Sequence, residues 1–225
     1  VRIHLKDFRF EKNMLCKIYT VAVPSAIMMS LPSVLVAALN SVLAAFSATA
    51  IAVFGLYIKI QTFVYMPANG VIQGMRPIMS YNYGAGNKKR MKETLKASLE
   101  AAGVIMALGT LLFMAFPQGI MKLFNANGEM LEIGVPMLRI IAAGFLISTV
   151  GCVLSGVFEA LGKGLQSLIV SLLRQLVIII PLSAVLSKTT GLYGVWTTFP
   201  VAELIAAVIG CILYRNFMKK LKFKK

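Results

Sequence analysis

Residues 18–58 carry no charged side chain. Forty-one such residues are about twice the ~20 that a helix needs to cross the hydrocarbon core of a bilayer. Lipid offers the backbone no hydrogen-bond partners, so a run of this kind must satisfy its own N–H and C=O groups, which a helix does. Composition agrees: hydrophobic residues make up 58% of the chain and charged residues 14%, far from the balance of a soluble domain. The sequence therefore predicts an all-α, polytopic membrane bundle. Six transmembrane helices are expected, at about residues 17–46, 49–81, 99–116, 135–160, 165–187 and 192–214.

A formal charge of +15 would suit nucleic acid if it formed one patch, but its placement assigns it to topology. Five basic residues precede the first span (Arg2, Lys6, Arg9, Lys12, Lys17) and five follow the second (Lys88, Lys89, Arg90, Lys92, Lys96). Lys163 lies between the fourth and fifth, and six more close the chain from Arg215 onward. The opposite ends of the spans hold only Lys122 and Lys188. The positive-inside rule then places both termini in the cytoplasm of a multi-pass cell-membrane protein. The expected partners of these charges are membrane lipids with anionic headgroups, not nucleic acid. Residues 1–14 read as a cytoplasmic linker, 15–216 as the membrane bundle and 217–225 as a basic tail. The start at Val1 instead of Met is what a fragment of a longer protein, or a non-standard start codon, would give.

No soluble-enzyme constellation is present. His4 is the only histidine, Cys16, Cys152 and Cys211 are scattered, and no phosphate loop follows a strand; no enzymatic activity, cofactor or metal ligand is assigned. The informative segment is residues 67–90, PANGVIQGMRPIMSYNYGAGNKKR. Asn69 and Gln73 lie four residues apart, on one helix face, with Gln61 and Arg76 near the same stripe. They either line a wet cavity or hydrogen-bond between helices. Pro67 and Pro77, with Pro24 in the first span, are candidate hinges. Met28, Met29, Met66, Met75 and Met79 are packing residues or an adaptable apolar wall.

Three charges are embedded. Glu203, Arg174 and Lys59 lie eleven, nine and ten residues into their spans, hence about 14–17 Å deep at 1.5 Å per residue. A charge at that depth costs on the order of 3 kcal/mol, which pairing of Glu203 with Arg174 or Lys59 would offset. Either the carboxylate couples protonation to movement or the pair is static. Glu159, beside Lys163, reads as a water-exposed acid at a helix end, with Arg76 and Arg139 snorkelling to their own interfaces.

Four stretches resemble the second half of the MATE (multidrug and toxic compound extrusion) transporter family: KDFRFEKNMLCKIYTVAVPSAI, GVIQGMRPIMSYNYGAGNKKRMKETL, MLRIIAAGFLISTVGCVLSGVFEALGKG and GLYGVWTTFPVAELIAAVI. The resemblance implies one lobe of a twelve-helix transporter, lacking the N-terminal six-helix lobe, with residues 1–14 as the connector between lobes. It implies a secondary antiporter that exports hydrophobic organic cations and drugs in exchange for H+ or Na+. Substrate contacts are then expected at Asn40, Gln61, Asn69, Gln73 and Ser148, and coupling roles at Glu203, Arg174, Lys59 or Glu159. The acids that some members carry in the first two spans, or midway along the fourth, are missing here. Flippases of lipid-linked oligosaccharides share this architecture and supply the alternative function; an inactive truncated membrane fragment is a third.

Overall fold

The computed structural model describes residues 11–221. Most of the linker and the end of the basic tail lie outside them. Helix α1 (Lys12–Leu43) already includes residues 12–14, and α2 (Ala48–Gly84) follows after a four-residue turn. Next come α3 (Lys88–Ala115), α4 (Pro117–Leu123), α5 (Glu129–Ala142) and α6 (Phe145–Ala160). Then α7 (Gly164–Leu172) passes through a π-helical turn (Leu173–Val177) into α8 (Ile179–Lys220). Among the described residues there is no strand.

The helix starts follow from capping chemistry. The Ser47 hydroxyl accepts the Ala50 N–H at 3.0 Å, and the Asn87 side chain accepts the Arg90 N–H at 3.0 Å. Each satisfies a donor that the first helical turn leaves open. The acids Glu129 and Glu132 occupy the first turn of α5 and Arg139 its last, in the sense the helix dipole favours. Glu129 Oε2 also accepts the Thr49 hydroxyl at 2.7 Å, joining the starts of α5 and α2.

Four helical runs are long and apolar enough to cross a membrane, and the α5–α6 pair, bent by 54°, makes a fifth. One run, Gly164–Lys220, has 57 residues, more than twice one crossing. It is divided at Gly191, whose φ of 64° and ψ of −145° belong to a region that only glycine occupies readily. The expected turn at residues 188–191 is thus a one-residue break, and six crossings result. The five basic residues that follow the second span, Lys88 to Lys96, lie in the first three turns of α3.

The candidate hinge prolines do not interrupt their helices. Helix α1 runs through Pro24 and Pro32, and α2 through Pro67 and Pro77, without interruption. The sharp bend sits between α5 and α6, at residues 143–144. There a Cβ on Gly144 would stand 3.0 Å from Pro200 Cα and 3.2 Å from Ile141 O. The bent span therefore packs backbone to backbone on α8, a closeness only glycine permits.

Helix α2 is the spine of the bundle. It packs along α3, α6 and α5, while α6 also packs on α8 and α3. Its buried Phe54 and Tyr57 join Trp196 and Phe199 of α8 in an aromatic cluster with ring centroids 6.0–6.2 Å apart. Further along, Phe145 meets Tyr65 at 5.5 Å and Phe113 at 5.3 Å, both edge to face. Edge-to-face pairs add to burial through the ring quadrupole, and together these tie α2, α3, α6 and α8 into one body.

Candidate functional site

A cavity of about 370 Å³ opens between α1, α2, the α5–α6 bend, the π-helical turn and α8. On one side, α2 contributes Ile58, Gln61, Thr62, Tyr65, Met66 and Asn69, a set at three- and four-residue spacing that shares one face. Pro32, Leu35 and Val36 of α1, Arg174 and Gln175 of the π-helical turn and Glu203 of α8 also line it.

Arg174 lies in the π-helical turn and Glu203 three residues after Pro200 in α8. An extra residue in a helical turn shifts the register of the side chains that follow it, and such turns recur at functional sites. Arg174 Nε approaches Glu203 Oε1 to 3.0 Å, with the two side chains only 18% and 13% exposed. That N–H is not aimed at the oxygen, so the contact is an ion pair without a directed hydrogen bond. Arg174 Nη1 donates to Cys152 Sγ at 2.6 Å. Glu203 Oε2 is buried and accepts no hydrogen bond among the described residues. A desolvated carboxylate oxygen without a donor is a costly arrangement, and a proton or a small cation would satisfy it.

The other expected site residues are distributed as follows. Gln61 and Asn69 line the cavity. Asn40 does not; it lines an adjoining outer groove that shares Pro32, Val36 and Ile58 with the cavity wall. Ser148 is fully buried behind the wall, where it accepts the Tyr65 hydroxyl at 2.9 Å and donates to Phe145 O at 2.7 Å. It positions Tyr65 and has no free surface for a ligand. Gln73 is exposed and does not line the cavity, because it lies one turn along α2 beyond Asn69, the last residue of that helix to line it. Lys59 is likewise exposed, and Glu203 pairs with Arg174 alone.

Glu159 corrects the reading of a solvated acid. Its Oε2 lies 2.6 Å from Arg76 Nη2, and its Oε1 accepts the Ser167 hydroxyl at 3.2 Å. Ser155 and Ser167 share a hydrogen bond at 2.6 Å, and Ser80 donates to Ala160 O at 2.7 Å. Arg76 therefore closes a polar cluster between α2, α6 and α7 instead of snorkelling. Tyr65 was the missed cavity residue with a visible signal, since it lies four residues from both Gln61 and Asn69. Gln175 adjoins Arg174 in an otherwise apolar run. Nothing in the sequence singled out Cys152. Among the described residues no group of three or more His, Cys, Asp or Glu is placed to hold a metal ion.

A six-crossing bundle with an internal polar cavity can be compared with known proteins. The model of the MatE family matches residues 24–185. The chain belongs to the MatE family. Its curated relatives include the multidrug export protein MepA of Staphylococcus aureus strain N315, 28% identical over 213 residues, covering 95% of this chain and 47% of that protein. MepA of Staphylococcus haemolyticus strain JCSC1435 is 26% identical over 222 residues, covering 99% and 49%. This MatE chain thus spans about half the length of the curated relatives it matches.

Solved structures carry the same fold. A multidrug resistance MATE family transporter of the MOP superfamily, in an outward-facing conformation, superposes with a TM-score of 0.89 at 24% identity. It is covered over 50% of its length by 97% of this chain. A MOP superfamily transporter from Pyrococcus furiosus, described as having a binding pocket of reverse polarity, gives 0.91 at 24% identity, with coverage of 51% and 100%. At these identities the likeness is one of fold.

Proposed function

We propose that this MatE chain forms the C-terminal lobe of a secondary antiporter that exports amphipathic organic compounds by alternating access. The expected substrates include the organic cations and drugs implied by the family, exchanged for H+ or Na+. The cavity between α1 and α2 is the substrate-contacting wall of this lobe, with Gln61, Asn69 and Tyr65 as polar contacts, and its basic end faces the cytoplasm. The observation that carries the reading is the Arg174–Glu203 pair lining that cavity, where one carboxylate oxygen lacks a donor. Ionisable groups inside a membrane are costly and belong to transport pathways by default. Binding of the driving ion at Glu203 would change the charge balance around Arg174 and so bias two arrangements of the lobe.

The test is efflux of a fluorescent organic cation from vesicles holding the full-length protein, with and without imposed H+ or Na+ gradients. Gradient-driven efflux is expected. Its absence with either ion, or gradient coupling unchanged in Glu203→Gln, overturns the assignment of coupling to Glu203; no efflux of any probe overturns the antiporter reading itself.

A further inference from the structure

The open face of α2 carries polar groups beside the cavity. On the second half of α3 the exposed positions are apolar, with Val104, Leu108, Leu111 and Leu112, and on α8 they include Val201, Leu204, Ile205 and Val208. The exposed arc of α2 is mixed: Gly55, Lys59, Thr62, Asn69, Gly70 and Gln73 share it with the large apolar side chains of Phe63 and Met66. Polar and small residues on an exposed membrane helix mark a protein-facing or water-facing side.

Lys59 sits in the middle of this arc. It is eleven residues from the start of α2 at Ala48, about 16 Å along the axis at 1.5 Å per residue. From that depth a lysine side chain does not reach the headgroups. Thr62 and Met66, three and seven residues on and therefore on the same face, line the cavity, so Lys59 stands at its rim. The charges lining the cavity cancel, since Arg174 is paired with Glu203; Arg76, outside it, is paired with Glu159. Among the described residues Lys59 has no acidic partner, and α1 and α2 hold no Asp or Glu. Within the described residues of this lobe, the rim therefore carries a positive charge with no acidic partner.

We propose that Lys59 makes this cavity rim a binding site for ligands bearing an anionic group, a carboxylate or phosphate on an apolar body, and is the residue that selects for that group. An ammonium in a partly desolvated membrane site gains most from a carboxylate or phosphate oxygen, through a charge-assisted hydrogen bond. The apolar body of the ligand would lie against Met66, Tyr65 and Val36, and Thr62 and Asn69 supply neutral polar contacts. The proposal rests on the antiporter reading for the use of the site, and its test does not depend on transport.

Rhodamine B, which carries a free carboxylate, and its ethyl ester, which does not, share one chromophore. Their binding to the purified full-length protein in lipid nanodiscs is read by fluorescence anisotropy. The acid is expected to bind at least about tenfold more tightly than the ester, the worth of one charge-assisted hydrogen bond. Lys59→Gln should abolish that preference and Lys59→Arg should keep it; both side chains lie on an exposed face, so folding is not at stake. Equal or tighter binding of the ester, a preference unchanged in Lys59→Gln, or binding of neither dye overturns the proposal. Failure of the antiporter reading appears separately, as a binding preference for the acid with no gradient-driven efflux.

Discussion

Removing one partner of the Arg174–Glu203 pair distinguishes a static bridge from a coupling site. With side chains 18% and 13% exposed, both groups are largely desolvated. Breaking a buried pair costs about 3–5 kcal/mol because the survivor stays buried and uncompensated, whereas replacing both members by neutral groups of similar shape recovers most of it. Arg174 keeps its contact to Cys152 Sγ at 2.6 Å and faces a cavity of about 370 Å³, which has room for water at about 30 Å³ per molecule. Glu203→Gln should therefore fall at the lower end, about 3 kcal/mol. The double variant Arg174→Met/Glu203→Gln should return to within about 1 kcal/mol of the parent. Denaturant unfolding of the purified full-length protein in mixed micelles measures all arms of the cycle. If the single and double losses simply add, the two groups do not compensate one another and the reasoning fails. The same variants then separate the roles. A static bridge predicts that the double variant recovers stability and gradient-driven efflux together. A coupling carboxylate predicts recovered stability with efflux that no longer responds to the gradient.

Two glycine substitutions test the architecture that places the pair. Gly144→Ala would put a methyl group 3.0 Å from Pro200 Cα, against backbone that cannot yield cheaply; a loss of about 1–3 kcal/mol is expected, read as a lowered thermal midpoint. Gly191→Ala meets no side chain closer than 4.0 Å, so its loss of about 1–3 kcal/mol comes from backbone conformation alone. An alanine there that leaves the midpoint unchanged would mean that the break does not need positive φ.

The crossings were legible because the membrane enforces a length and an internal hydrogen-bond rule, and uncharged runs such as residues 18–58 obey both. The breaks were less so. A proline announces a lost N–H, but a bundle can carry Pro24, Pro32, Pro67 and Pro77 inside continuous helices. The bend at residues 143–144 depends instead on the approach of Pro200, a contact between segments more than fifty residues apart. Arg174 and Glu203 could be expected to pair because they share a depth, which is a one-dimensional property. Whether Lys59 joined them depended on rotation about the axis of α2. Helical spacing gives the rotation of one residue relative to another, but not the rotation of the helix relative to the lobe. Gln61 and Asn69 line the cavity while Gln73 does not, because the cavity ends at Asn69, and the length of a cavity is set by other helices. Glu159 was read as solvated because Lys163 is near in sequence, whereas its partner Arg76 comes from another helix.

The placement of the polar groups also follows from how unevenly the lobe is held together. Helix α2 is locked in by Phe54 against Trp196 and by Arg76 against Glu159, and it carries a continuous buried stripe from Ala50 to Asn82. Helix α1 is different. Leu31, Leu35, Leu39 and Leu43 form a buried ridge along its second half, but no described side chain among residues 12–30 is buried. Met14, Ile18, Tyr19, Val23 and Ile27 are all exposed there. In lipid, helices are held by packing contacts and not by removal of apolar surface from water, and that half buries no described side chain against the rest of the lobe. It packs along α7, where Pro24 meets Gly164 and the Ser167 and Ser171 hydroxyls contact Met28 Sδ at 3.3 and 3.4 Å. The second half of α1 lines the cavity through Pro32, Leu35 and Val36, beside the π-helical turn that carries Arg174. The polar contacts are carried by α2, whose position the core determines, and by the π-helical turn, and not by α1.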